Sequence, residues 1–237
     1  MLARNQFLAG LSAGDLAAIR PGLEEVDLKQ DQLITEAGHP VAAAHLPLDC
    51  ILSVITVMRD GAQVESRTIG RESGHGLLHA LGSPVSQERM LCQVAGAAAR
   101  IRLSTLSAAA QARPSLAKAI ARHAQVSLTQ SIQAVACNRL HGAQARMARW
   151  LLMTQDRLDR DVLPLTQEHL AIMLGVQRTT VTSVAQDMQA RHLVAYHHGK
   201  ITVLDRAGLL RTSCECYRAV QEGVEAILQE PAHAARV

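Results

Sequence analysis

Gln177, Arg178, Thr179, Thr180, Thr182 and Ser183 crowd into one short stretch, with Thr166 and Gln167 upstream and Lys200 downstream. These side chains are short hydrogen-bonding groups accompanied by two fixed cations. A guanidinium can pair with the O6/N7 edge of guanine, and hydroxyls, amides and ammonium groups can hold phosphate oxygens. The chemistry on offer is therefore recognition of a nucleic-acid surface. The chain has no paired carboxylates, no nucleophile elbow, no phosphate-binding loop and no HExxH zinc motif, so an enzyme is not expected.

Such groups act only if something rigid presents them. Thr166 is placed to cap a short helix with apolar Leu170, Met173 and Leu174. Gly175 supplies a turn that needs positive φ. A second helix then carries Val181, Val184, Ala185 and Met188 at i, i+3, i+4 and i+7. Its opposite face holds Thr179, Thr182, Ser183 and Gln186. Ala171, small enough for a close helix crossing, faces Val181. The pattern predicts a helix-turn-helix, whose outer face suits the major groove of B-DNA. A plain helical hairpin has the same local spacing. The continuation favours the first reading, because His192–Tyr196 and Lys200–Leu204 read as strands around a His198-Gly199 turn, making a winged helix.

Composition narrows the partner. Phe7, Trp150, Tyr196 and Tyr217 are all the aromatic residues in 237, too few for stacking on unpaired bases. Residues 1–110 hold nine Lys/Arg against eleven Asp/Glu, whereas residues 138–206 hold nine against six. The basic half is thus the half with the helix pair, as a duplex-binding module requires. No apolar run is long enough to span a bilayer, and residues 1–6 lack the apolar core of a signal peptide. Cys50, Cys92, Cys137, Cys214 and Cys216 are scattered and odd in number, which argues against a disulfide framework and for a cytoplasmic setting.

Upstream, residues 2–25 have helical texture, with Ser12–Asp15 as a helix start and Pro21-Gly22 as a stop. From Val26 the period shortens toward two. Leu33–Thr35, Cys50–Met58, Val64–Ile69, Met90–Val94 and Ala99–Leu103 read as strands, with Asp60-Gly61 as a hairpin turn. These short strands predict an antiparallel β-roll or jelly roll. Residues 114–137 form one long helix opened by Pro114. Its stripe of Ala117, Ile120, Ala121, Ala124, Leu128, Ser131, Ile132 and Val135 fits a dimerisation seam or a helix packed on its own β-domain. After Gly142 a further helix turns Ala145, Ala148, Leu151 and Leu152 inward and leaves Arg139, Arg146, Arg149 and Arg157 available outward. The tail from Asp205 reads as one amphipathic helix with Leu209, Leu210, Tyr217, Val220, Val224, Ile227 and Leu228, stopped by Pro231.

The order β-roll, long helix, winged helix-turn-helix resembles the Crp/Fnr family of bacterial transcription regulators. Leu-Thr-Gln-Glu at 165–168, Leu-Gly-Val-Gln-Arg-Thr-Thr-Val at 174–181 and His-Gly-Lys-Ile-Thr-Val at 198–203 carry the likeness, with Asn-Arg-Leu-His from 138 and Ala-Arg-Trp-Leu-Leu ending at 152. The resemblance implies an α+β chain. It would have a cyclic-nucleotide-binding-like sensor domain at 1–113, a dimerisation helix at 114–137, and a winged helix-turn-helix with its C-terminal helix at 138–237. It implies a homodimer on double-stranded promoter DNA, working with RNA polymerase, with no membrane partner. The family's three base-reading positions fall on Arg178, Thr179 and Ser183. Thr179 stands where cyclic-AMP receptor proteins have glutamate, and Ser183 where they have a second arginine, so a different half-site is implied. Gln177, Thr180 and Lys200 match phosphate-touching positions.

At the effector end the same resemblance sets Ile69–Leu77, with Gly74 and Gly76, as the glycine-rich phosphate cradle, and Arg89 as the phosphate-binding arginine. Leu77 replaces the acid that holds the ribose hydroxyl, and Met90 replaces the hydroxyl residue after the arginine. Cyclic AMP is therefore not the expected effector, and the effector and any cofactor stay unknown. A small-ligand module with DNA binding secondary or lost is the alternative. Glu72, Glu88 and Arg89 read most simply as solvated loop charges or an anion contact. The N-terminal cysteines of iron–sulfur members are missing. Cys214-Glu-Cys216 with His192, His197 and His198 could form a metal or redox site, but on a helix residues i and i+2 point about 200° apart. Free cysteines and no metal are the expectation.

Overall fold

The structure is a computed structural model that describes residues 2–229. Two short helices open the chain, α1 (Gln6–Ala9) and α2 (Ala13–Ile19). Ser12 starts α2 as its position predicted, accepting a hydrogen bond from the Asp15 backbone N–H; Asn5, not singled out from the sequence, does the same for Leu8 at α1. Seven strands follow, β1 (Leu23–Leu28), β2 (Leu33–Thr35), β3 (Ala43–Pro47), β4 (Ile51–Val57), β5 (Gln63–Ile69), β6 (Arg89–Val94) and β7 (Gly96–Arg102). They pair antiparallel as one sheet in the order β1-β7-β3 and another in the order β2-β6-β4-β5. This is the β-roll the alternation predicted. Leu28, Cys50, Leu52, Val54, Met90 and Cys92 fill the space between the sheets. Strand β3 was not legible, because its Ala-Ala-His-Leu-Pro run lacks β-branched residues.

Helix α3 (Leu103–Ala112) begins where strand was expected to end. It buries Leu103, Leu106 and Ala110 against α1 and the roll. Helix α4 (Pro114–Leu140) is the long helix, with proline in its first turn as expected. The single stripe read from the sequence is divided between two faces. Leu116, Ala119, Ile120, His123, Val126, Gln130, Ala134 and Cys137 are buried in the chain's own core. Leu128, Ile132 and Val135 face solvent, 60%, 61% and 72% exposed. The buried face bears out the reading of a helix packed on the chain's own core, and the exposed face is where a dimerisation seam would have to lie.

Helix α5 (Ala143–Leu158) corrects another expectation. Arg146, Arg149 and Arg157 are buried rather than outward, and only Arg139, still on α4, is exposed. The reason is position: α5 runs through the middle of the molecule, and its neighbours close over its polar side too. Strand β8 (Val162–Leu163), helices α6 (Gln167–Leu174) and α7 (Arg178–Ala190), and strands β9 (Val194–His197) and β10 (Lys200–Val203) make the winged helix. The small sheet has the order β8-β10-β9, with Ile201 opposite both Leu163 and Tyr196. The tail is two helices, α8 (Arg206–Thr212) and α9 (Cys216–Gln229), not one. Ser213 leaves the helical region at ψ 154°, and α9 turns back along α4. Pro231, expected to stop the tail, lies outside the described residues. No described helix is long and apolar enough to cross a membrane.

Candidate nucleic-acid interface and sensor cavity

Thr166 caps α6 as its sequence position predicted. Its hydroxyl accepts the His169 backbone N–H at 3.1 Å, and His169 Nδ1 accepts the Thr166 N–H at 3.4 Å, closing a capping box. Gly175 takes φ +59° at the end of α6, and a Cβ there would meet Val64 Cγ2 of the roll at 3.1 Å. Both conformation and space therefore favour glycine. Val181, Ala185 and Met188 are buried against Leu170, Met173 and Leu174. That packing fixes the rotation of α7, so Gln177, Arg178, Thr179, Thr180 and Ser183 all stand exposed on its outer side. Thr182 is half-buried; its hydroxyl bonds the Arg178 carbonyl at 3.0 Å, which removes it from the free donors. Lys200 is exposed at the start of β10, on the wing.

The helix pair touches the roll at its base. His169 Nε2 lies 2.8 Å from Asp31 Oδ1. A cleft of about 590 Å³ separates α6 and the wing from the second sheet, lined by Ser53, Ile55, Leu91 and Gln93 on one side and Gln167, Arg178 and Tyr196 on the other. Behind it Glu65 is buried, 1% exposed. Ser53 Oγ and Gln93 Nε2 both donate to Glu65 Oε2, the latter at 2.8 Å, and Oε1 has no partner among the described residues. Burial pushes this carboxyl up to about 8, against the pull of the Ser53 and Gln93 hydrogen bonds and the Arg157 charge.

Residues 145–212 match the Crp-like helix-turn-helix domain family. They form a Crp-like helix-turn-helix domain.

Solved structures extend the likeness to the whole architecture. FixK2 from Bradyrhizobium japonicum superposes with a TM-score of 0.69 at 16% identity, covering 81% of this chain and 98% of that one. The c-di-GMP responsive global regulator CLP from Xanthomonas campestris gives 0.67 at 14%, covering 82% and 100%. A CRP/FNR family transcriptional regulator from Thermus thermophilus gives 0.65 at 24%, covering 80% and 98%. No curated protein matches in sequence. The chain has the fold of a Crp/Fnr-type transcription regulator: β-roll, long helix and Crp-like domain in one order.

The roll carries a second cavity, of about 520 Å³, between the 74–88 segment and α4. Gly74, Gly76 and Leu77 line it, as do His75, His79, His123 and Ser127; Arg89 and Met90 are not among its lining residues. Met90 is fully buried inside the roll, and Arg89 is held by Glu36, with Nη2 2.9 Å from Oε2. The glycines are packed as well as placed. A Cβ on Gly74 would strike Leu46 Cδ2 at 2.2 Å, and one on Gly76, at φ +85°, would meet Ala44 Cα at 2.8 Å. Arg67, not singled out from the sequence, stands in the cavity wall, but Glu88 takes it in a two-pronged pair at 2.9 and 3.1 Å. Burial holds His75 neutral, with its pKa near 3, and His123 likewise near 4.

Glu72 and its loop have another task. Arg157 Nη2 reaches Glu72 Oε1 at 2.7 Å, its Nε bonds both carboxylate oxygens at 3.1 Å, and its Nη1 donates to Thr68 Oγ1. Arg71 Nη2 donates to the Asp156 carbonyl at 2.7 Å. The loop read as carrying solvated charges therefore ties the roll to α5 of the Crp-like domain. Glu72 stays below the usual carboxylate range, since the Arg157 charge and hydrogen bonds outweigh the opposing effect of burial. Its partner lies 85 residues away, and no local spacing could have signalled it.

Proposed function

We propose that the protein is a homodimeric, sequence-specific regulator that places α7 in the major groove of promoter DNA and works with RNA polymerase. The observation that carries this is the outer side of α7. There Arg178, Thr179, Thr180 and Ser183 stand exposed on a helix whose rotation is locked by three buried residues. Arg178 serves as the guanine reader, Thr179 and Ser183 as short-range base contacts, and Gln177, Thr180 and the wing Lys200 as phosphate contacts. Thr166 and Gln167 sit at the start of α6, where backbone N–H groups suit a phosphate.

The homodimer reading rests on Leu128, Ile132 and Val135. Spaced four and three, they form an exposed apolar row of the period two parallel helices need. An effector other than cyclic AMP is supported by the ion pairs: Arg67 and Arg89 are both already matched to carboxylates, and a phosphodiester would have to displace Glu88 or Glu36.

Selection of binding sites from a random duplex pool, at fixed near-physiological salt, tests the proposal. A two-fold symmetric motif with half-sites about 10 base pairs apart, or a multiple of that spacing, is expected. Failure to enrich any motif, both alone and with cell extract supplying small molecules, would refute sequence-specific reading.

A further inference from the structure

Four side chains that DNA reading leaves unused converge where α4 ends and α9 begins. Cys137 lies in the last turn of α4 and His141 follows one turn on, so both look the same way. Cys214 sits in the loop after α8, and Cys216 opens α9. The expectation of divergent cysteines failed because Cys214 is not on a helix, so the angle between i and i+2 does not apply. The histidines are also different ones: His141 is here, while His197 and His198 are out on the wing.

One donor atom from each of the four lies within 4.8 Å of every other. Cys137 Sγ and Cys214 Sγ are 3.5 Å apart, and Cys216 Sγ is 3.5 Å from His141 Nδ1. Donors about 2.3 Å (sulfur) and 2.0 Å (nitrogen) from a tetrahedral ion are separated by roughly 3.5–3.8 Å. We propose that Cys137, His141, Cys214 and Cys216 are the ligands of one zinc ion, a Cys3His site that staples α9 to the end of α4.

The surroundings fit that ion. The other ring nitrogen of His141, Nε2, is 3.2 Å from Glu215 Oε2. A metal-bound imidazole is oriented in this way, by a carboxylate on its far nitrogen, which leaves Nδ1 for the metal. Arg149 is 1% exposed, with no hydrogen-bond partner for Nε or Nη2 among the described residues, and Arg146 is 7% exposed nearby. Buried guanidiniums beside neutral thiols are costly. Three thiolates, a neutral imidazole and Zn²⁺ carry one net negative charge, which offsets that cost. Binding releases the thiol protons to solvent and moves no electrons. An iron–sulfur cluster spreads its ligands over several irons, whereas these four donors share the span of a single ion. A Cys137–Cys214 disulfide would need the sulfurs about 2.0 Å apart and would leave Cys216 and His141 without a role.

The test is metal content of the reduced full-length protein after dialysis into zinc-free buffer. Wild type and Cys50→Ser should retain about one zinc per chain, and Cys137→Ser and Cys214→Ser should lose it. Cobalt(II) exchanged into wild type should show the intense visible bands and thiolate charge transfer of a tetrahedral site. Glu215→Gln keeps every ligand and guards against misfolding. It should keep the wild-type circular dichroism and bind zinc about tenfold more weakly in chelator competition. Zinc-free reduced wild type, equal zinc in Cys214→Ser, an octahedral cobalt spectrum, or a Cys137–Cys214 disulfide in freshly purified protein would each overturn the proposal.

Discussion

Replacing Glu65 by Gln should change how stability responds to pH, and the structure gives the size. The carboxyl is pushed from 4.5 to about 8 by burial. Above 4.5 the unfolded chain releases a proton that the folded protein keeps, so the contribution of Glu65 to wild-type stability is greatest in acid and falls as pH rises toward 8. Each pH unit in that window costs about 1.4 kcal/mol, or about 5 kcal/mol in all, with no further loss above it. Glutamine has no proton to lose. Its carbonyl can keep the Ser53 and Gln93 donors, while its amide replaces Oε1, which has no partner. That unsatisfied amide costs about 1–3 kcal/mol at every pH. The two stability curves should therefore cross between roughly pH 5 and 7, with the variant the more stable one in mild alkali. Urea midpoints of both proteins at half-unit steps from pH 5 to 9 supply the comparison. The buried histidines, held neutral in the fold, add a trend of opposite sign below about pH 6.5, but it is common to both proteins and cancels in the difference. Parallel curves across the whole range would show that Glu65 is ionised in the fold and refute the reasoning.

Arg178→Ala should cost about 1–3 kcal/mol in binding and relax one base position, whereas Lys200→Ala should weaken all duplexes alike and reduce the salt slope by about one; fluorescence anisotropy on matched and mismatched duplexes at several salt concentrations separates the two. Val135→Glu should leave the monomer's stability within about 0.5 kcal/mol, since the side chain is exposed, yet abolish self-association seen by sedimentation. Glu72→Gln should destabilise by about 3 kcal/mol, because it strands Arg157 in a dry site. A double-mutant cycle with Arg157→Met should return a coupling of about 1–3 kcal/mol in urea denaturation, and simple additivity would deny the link between roll and α5.

What the sequence disclosed was whatever is encoded locally. Thr166, Gly175 and the 181, 184, 185, 188 spacing each constrain their own neighbourhood, and together they specified the winged helix. The Asp60-Gly61 turn did the same for β4 and β5. Strand β3 was missed because its run lacks β-branched residues, and helix α3 because only two leucines, Leu103 and Leu106, mark its buried face before the alanines begin. The buried arginines of α5 were misplaced for a different reason. An arginine repeats like a surface residue, and only the partners brought to it by folding, such as Glu72 for Arg157, make burial tolerable. The cysteine cluster hid behind a sequence separation of 77 residues between Cys137 and Cys214.

The segment from Gly70 to His79 has two ends with different neighbours. Glu72 grips Arg157, and from Gly74 onward the same backbone walls the roll's cavity. Only Ser73 separates the grip from the wall. Anything that filled that cavity would press on a lever with a very short arm. A shift of Gly74 or Gly76 has little slack to absorb it, because Leu46 and Ala44 are packed hard against both. Such a displacement would reach Glu72 through the backbone of Ser73 alone. The wall of the roll's cavity and the seat of α5 are thus parts of one piece of peptide.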